Sequence, residues 1–370
     1  PVHKIFPGTS LGLTEGPHLY RKDGWYYLLV AEGGTEYGHA ATLARSRTIT
    51  GPYEADPSGP VITSRNHPLD PLQKAGHACL VQAGNGDWYL AHLVGRPIAR
   101  KGRCILGRET AIQQAVWTAD GWLRSGPLAG RAATEVTVRG LAAHPWPQRP
   151  AREDFDGADL PIDFQTLRIP LGPDSLSLVE RPGFLRLKGR ETVGSRNCQA
   201  LVARRQQAFR YRAATCLEFN PVHFKQSAGL ICMYDHENFF YLRVSFDEVL
   251  GRSLDIMTAV NGTIDFPLSG PVALPAGRIT LSVAVDWDQL RFAWWPESAA
   301  GTGAKAGGGQ SGTKGDLAAT ADGRWPAWAH SIGPAFDASI LSDEHCREGR
   351  FTGAFVGLCC QDLTGGRHPA

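Results

Sequence analysis

The sequence predicts an all-β protein built in two parts, a set of propeller-like hairpins followed by a β-sandwich. Three observations carry that expectation: a repeated turn–Trp–strand pattern, a Pro-rich break near residue 141, and a long series of short apolar runs after it. In the first 130 residues a polar turn with Gly or Asp is followed by Trp and an alternating apolar stretch. Lys22-Asp23-Gly24-Trp25-Tyr26-Tyr27-Leu28, Asn85-Gly86-Asp87-Trp88-Tyr89-Leu90 and Ala119-Asp120-Gly121-Trp122-Leu123 are the visible copies, each a hairpin with a strand ahead of its turn. Recurrent hairpins of this kind suit propeller blades. Hairpins alone also suit an ordinary β-sandwich, and a stretch this short makes only part of a ring.

Residues 141–160 are rich in Pro, Ala and Arg, with His144-Pro145-Trp146-Pro147 and Pro150, a composition that resists both helix and ladder pairing and marks a linker. It divides blades at 1–140 from a sandwich domain at 161–370. In the latter, Leu201 to Ala203, Ala228 to Tyr234, Phe239 to Phe246, Ile279 to Val285 and Leu290 to Trp295 read as strands separated by turn residues. Between Ser298 and Arg324 the chain turns to Gly, Ala, Ser, Thr and Lys. Such a stretch buries too little apolar surface to offset its ordering entropy, so a flexible insertion is expected there.

At 370 residues the chain exceeds one ordinary hydrophobic core, in keeping with two domains. Lys plus Arg total 38 against 36 Asp plus Glu, which gives no electrostatic reason to expect nucleic acid or an anionic membrane as partner. No apolar run approaches the roughly 18 residues of a membrane span, so a membrane protein is not expected. Cys79, Cys104, Cys198, Cys216, Cys232, Cys346, Cys359 and Cys360 show neither CxxC spacing nor paired histidines. They are expected to be thiols inside strands, which favours a cytoplasmic over a secreted setting.

The stretch with most chemical content is Leu13-Thr14-Glu15-Gly16-Pro17-His18-Leu19-Tyr20, followed by Tyr26 to Thr35. Glu15 stands at the mouth of a strand, Gly16 and Pro17 fix the backbone beside it, and the strand behind is apolar. That setting is expected to desolvate the carboxyl and raise its pKa toward the operating pH, as a proton donor requires.

This segment closely resembles the general-acid motif of family 43 β-xylosidases. The likeness continues through Ala31-Glu32-Gly33-Gly34-Thr35, His39-Ala40-Ala41-Thr42 and Gly51-Pro52-Tyr53-Glu54. Further blocks are Pro71 to Ala78, Leu106 to Gln113, and Phe351 to Leu358 with Gln361-Asp362. The resemblance implies part of a five-bladed propeller followed by a concanavalin-like sandwich. It implies an inverting, exo-acting β-D-xylosidase that releases xylose from xylo-oligosaccharides, with α-L-arabinofuranosidase side activity. Glu15 would be the general acid. His77, Arg108, Thr35 and Phe351 would contact the sugar, Phe351 by reaching across from the sandwich.

No organic cofactor is implied. In some relatives the motif histidine serves a central divalent cation, so Ca2+ near His77 is a candidate. The family's base Asp and its acid-tuning Asp both precede the general-acid motif, and no Asp lies among residues 1–14. The expectation is therefore a chain that carries the acid, lacks the base and is inactive alone, cut at both ends since the family continues past His368-Pro369-Ala370. Alternatives are a non-catalytic xylo-oligosaccharide-binding protein and an arabinofuranosidase or arabinanase. Homo-oligomerisation is left open.

Overall fold

The computed structural model describes residues 3–98, 102–126, 130–297, 325–347, 351–366 and 369. The stretch 298–324, expected to be a flexible insertion, lies outside the described residues. The chain divides into two compact units, Pro1–Gln148 and Arg149–Ala370.

The first unit holds two antiparallel sheets. One runs through β1 (Glu15–Lys22), β2 (Trp25–Glu32), β3 (Ala40–Ser46) and β4 (Glu54–Ala55) in spatial order, with β5 (Ile62–Thr63) also paired to β3. The other runs through β6 (Gln73–Gln82), β7 (Trp88–Gly95), β8 (Arg108–Trp117) and β9 (Leu123–Ser125). Chain order equals spatial order in both, the meander of a propeller blade rather than the crossed topology of a sandwich. The turns at Asp23-Gly24 and Asn85-Gly86 close hairpins, and Trp25 and Trp88 open the strands that follow.

Trp25, Trp117 and Trp122 join blade to blade. Arg45 on β3 lies 4.4 Å from the Trp25 ring centroid and 3.9 Å from that of Trp122, so one guanidinium serves an aromatic face from each sheet. Tyr27 on β2 donates its hydroxyl to Gly121 O at 2.7 Å and packs 4.6 Å from Trp117 on β8. Leu29, Leu43, Ile62, Ala75, Leu90 and Leu123 fill the shared core. Burying side chains of this size contributes about 1.5–3 kcal/mol each, which fixes the inner ends of both sheets against one another.

The second unit begins with β10 (Phe164–Thr166), a small hairpin of β11 (Leu176–Ser177) and β12 (Arg186–Leu187), and β13 (Ala200–Arg205). There follow β14 (Arg210–Leu217), β15 (Gln226–Asp235), β16 (Asn238–Asp247), β17 (Gly251–Val260), β18 (Thr263–Asp265) and β19 (Val272–Ala273). The last four are β20 (Ile279–Asp286), β21 (Gln289–Pro296), β22 (His330–Asp337) and β23 (Phe355–Asp362). The large sheet has the order β10-β13-β23-β15-β16-β17-β18 with β19 beside β17, and it faces a sheet of order β14-β20-β21-β22.

Strand periodicity builds the core between these layers. Ala228, Leu230 and Cys232 point in from β15 while Ile279, Leu281, Val283 and Val285 point in from β20. The far face of the large sheet is also apolar, with Ile231, Met233, Tyr241 and Cys359 buried, which is why β15 reads as an unbroken apolar run. All five runs that the sequence marked as sandwich strands lie in β13, β15, β16, β20 and β21. The eight cysteines are thiols, and burial pushes Cys232 and Cys359 up to about 12.

Candidate active site

Glu15 opens β1 and pairs across to Ala31 on β2. Its side chain is exposed, which corrects the expectation of a desolvated carboxyl. The apolar strand behind it is buried, but β1 itself is a sheet edge with mostly exposed side chains. Being next to a buried strand in sequence does not cover a carboxylate whose own strand has a neighbour on one side only.

What holds Glu15 in place is the loop before it. Glu32, fully buried at the end of β2, accepts from the Thr9 backbone N–H at 2.7 Å, the Thr9 hydroxyl at 2.8 Å and the Thr14 hydroxyl at 2.9 Å. Burial raises its pKa, but these hydrogen bonds, the backbone one foremost, outweigh burial and leave it below the usual carboxylate value. Thr14 immediately precedes Glu15, so the anchor ends where the candidate acid begins. Glu32 stood inside a quoted block of the sequence without a role; an acidic residue closing an apolar strand was the available signal.

His77 lies on β6 where the strand is irregular. The pairing with β7 slips between Gln73 and Gly76 and again between Gly76 and Cys79, and Lys74 and His77 adopt φ of 56° and 47°. Non-glycine residues occupy that left-handed region at a cost of about 1 kcal/mol each, and such outliers gather at functional sites. The distortion turns the imidazole onto Gly16. A Cβ at position 16 would stand 2.6 Å from His77 Nε2, and Gly16 has φ of 56°, so this contact and this backbone both require glycine. His77 therefore lies against the residue that follows Glu15.

A residue not singled out from sequence sits behind them. His39, 1 % exposed, has its ring 6.4 Å from that of His77 and feels the charges of His77, Arg108 and Glu15. His77 on β6 thus lies between Gly16, beside Glu15 on β1, and His39, while Arg108 on β8 contributes to the electrostatics at His39. Arg108 is half-buried at the start of β8. Its neighbour Glu109 makes a bidentate pair with Arg96 at 2.8 Å for both bonds. Thr35 is half-buried in the loop between β2 and β3. Phe351 belongs to the second unit, 41 % exposed and ahead of β23.

His39 Nδ1 lies 3.0 Å from Lys74 O, an acceptor only, so Nδ1 carries the proton of the neutral ring. His92 on β7 is arranged alike, with Nδ1 3.1 Å from Leu93 O. The Nε2 atoms of both rings and Nδ1 of His77 are buried without a hydrogen-bond partner among the described residues. These groups do not fit Ca2+, which takes six to eight oxygen donors. Around His77 stand imidazoles, a guanidinium and one carboxylate, and among the described residues no cluster of three or more His, Cys, Asp or Glu is set to hold a metal.

Burial, first among the causes, holds both His39 and His92 below 6.5. As pH falls below that value the unfolded chain takes up protons that the folded chain refuses, so stability declines on acidification and is unaffected above it. Urea midpoints at pH 7.5 and 5.5 check this: the midpoint should drop at pH 5.5, and drop less in His92→Gln. A midpoint that rises on acidification contradicts it.

Comparison with known proteins places this geometry in a family. Residues 1–123 match the model described as glycosyl hydrolases family 43, and residues 152–325 and 326–370 match the beta xylosidase C-terminal concanavalin A-like domain. A beta-xylosidase of Bacillus subtilis is 40 % identical over 99 % of this chain and 65 % of its own length. Xylosidase/arabinosidase 43B of Humicola insolens is 41 % identical over 99 % of this chain and 64 % of its own. The crystal structure of a xylan beta-1,4-xylosidase from Bacillus halodurans superposes with a TM-score of 0.91 at 44 % identity, covering 100 % of this chain and 66 % of that one. The chain thus spans about two-thirds of the length of the relatives it matches. With propeller blades ahead of a concanavalin-like sandwich, and both family models matched in that order, this chain belongs to glycosyl hydrolase family 43.

Proposed function

We propose that the protein containing this chain is an inverting, exo-acting β-D-xylosidase that releases xylose from xylo-oligosaccharides, with α-L-arabinofuranosidase side activity. The observation that carries the reading is the packing of His77, from one blade, against Gly16, the residue that follows Glu15 on the other. An exposed carboxyl at a strand mouth reaches the leaving-group oxygen, and Glu15 is assigned as the acid that protonates it. Arg108, with fixed-fork donors, is assigned to hold sugar hydroxyls, and His77 and Thr35 to line the same subsite. Inversion needs a base roughly 6.5–9.5 Å from the acid to activate water; no residue of this chain is assigned to that role. Relatives bearing xylosidase and xylosidase/arabinosidase names support the choice of sugars. The thiol state of the cysteines supports a reducing compartment.

Xylobiose hydrolysis followed by proton NMR in the native protein tests the reading. The α-anomer of xylose should appear first and then mutarotate. The β-anomer appearing first sinks inversion. Tight binding of xylobiose without any release of xylose supports the sugar-binding alternative.

A further inference from the structure

Lys74 and His77 occupy a strained bulge, and a strained bulge persists only where its surroundings over-determine it. The neighbour that does so is His39. Its Nδ1–H donates to Lys74 O at 3.0 Å. Its ring fills the space over Gly76, where a Cβ would lie 2.7 Å from both Cγ and Cδ2. His39 is itself held, its backbone N–H donating to Glu36 O at 3.0 Å and its carbonyl accepting from the Thr63 hydroxyl at 2.7 Å. Lys74 completes the tie in the reverse direction, its Nζ lying 3.1 Å from Glu36 Oε2. A hydrogen bond and an ion pair therefore link the loop before β3 to the bulge of β6. The bulge in turn presses His77 onto Gly16, next to Glu15.

We infer that His39 is a positioning residue for the site, holding the 74–77 bulge so that His77 and the Glu15–Gly16 backbone keep their mutual placement. The inference rests on the glycosidase reading above. At 1 % exposure His39 does not reach substrate, so its effect passes through His77. A mere core histidine would instead act through stability alone, and the two roles separate in a double-mutant cycle on a nitrophenyl β-xyloside in the native protein.

His39→Ala should lower kcat/KM between about 10- and 100-fold, mostly in kcat, as expected for misplacement by about 1 Å. In a His77→Ala background the same change should cost less than about twofold, since residues acting through one another are non-additive. His39→Asn, whose amide nitrogen stands where Nδ1 stands, should recover most of the activity. Equal losses from His39→Ala in both backgrounds overturn the positioning role while leaving the glycosidase reading intact. Wild-type activity in His77→Ala sinks the reading of His77, and this inference with it. Should His39→Ala not fold, His39→Asn against His39→Gln decides: Asn active and Gln impaired supports the role, and equal activity of the two overturns it.

Discussion

Glu15→Gln in the native protein should depress hydrolysis of xylobiose by about 1,000-fold, within the range that a positioned general acid contributes. The same variant should lose far less on a nitrophenyl xyloside. An activated phenolate departs without a proton, whereas a sugar alkoxide does not, so removal of the donor is felt in proportion to the basicity of the leaving group. Kinetics on the two substrates, with xylobiose binding measured in parallel, provide the check. Equal losses on both would remove Glu15 from the proton-transfer step.

Glu32→Ala should cost the first unit about 3 kcal/mol of stability, the scale on which hydrogen bonds to a buried charge are lost together. It strips acceptors from the Thr9 N–H, the Thr9 hydroxyl and the Thr14 hydroxyl at once. Glu32→Gln keeps one acceptor oxygen and should cost less. The carboxyl is held below its usual 4.5, so its contribution is fully present above that pH and is lost as pH falls through the lowered value. Denaturant midpoints at pH 7 for the three proteins test the ranking. An unchanged midpoint in Glu32→Ala would show that the loop of residues 9–14 is held by other contacts.

Much of the fold was readable because strand periodicity and turn chemistry are local. Asp23-Gly24 and Asn85-Gly86 announce their hairpins, and alternation in Ile279 to Val285 announces a strand. The site was readable only in part. Glu15, His77 and Arg108 came from family-like stretches, and His77 lies between Gly16, beside Glu15, and a buried histidine, His39. The histidine itself escaped, because its importance comes from the left-handed backbone at Lys74 and His77, and neither residue type signals such a conformation. Glycine would have signalled it. The state of the Glu15 carboxyl also escaped: whether water reaches a side chain is decided by neighbours distant in sequence, which no reading of Gly16, Pro17 and the following strand supplies.

The aromatic ladder between the blades has a practical consequence. Trp25 and Trp122 share Arg45, while Trp117 lies 4.6 Å from Tyr27 of the other sheet. Indole emission shifts with its surroundings, so separating the sheets would move the fluorescence of several fluorophores at once. The first unit thereby carries an intrinsic optical reporter of whether its blades are docked, usable without any dye.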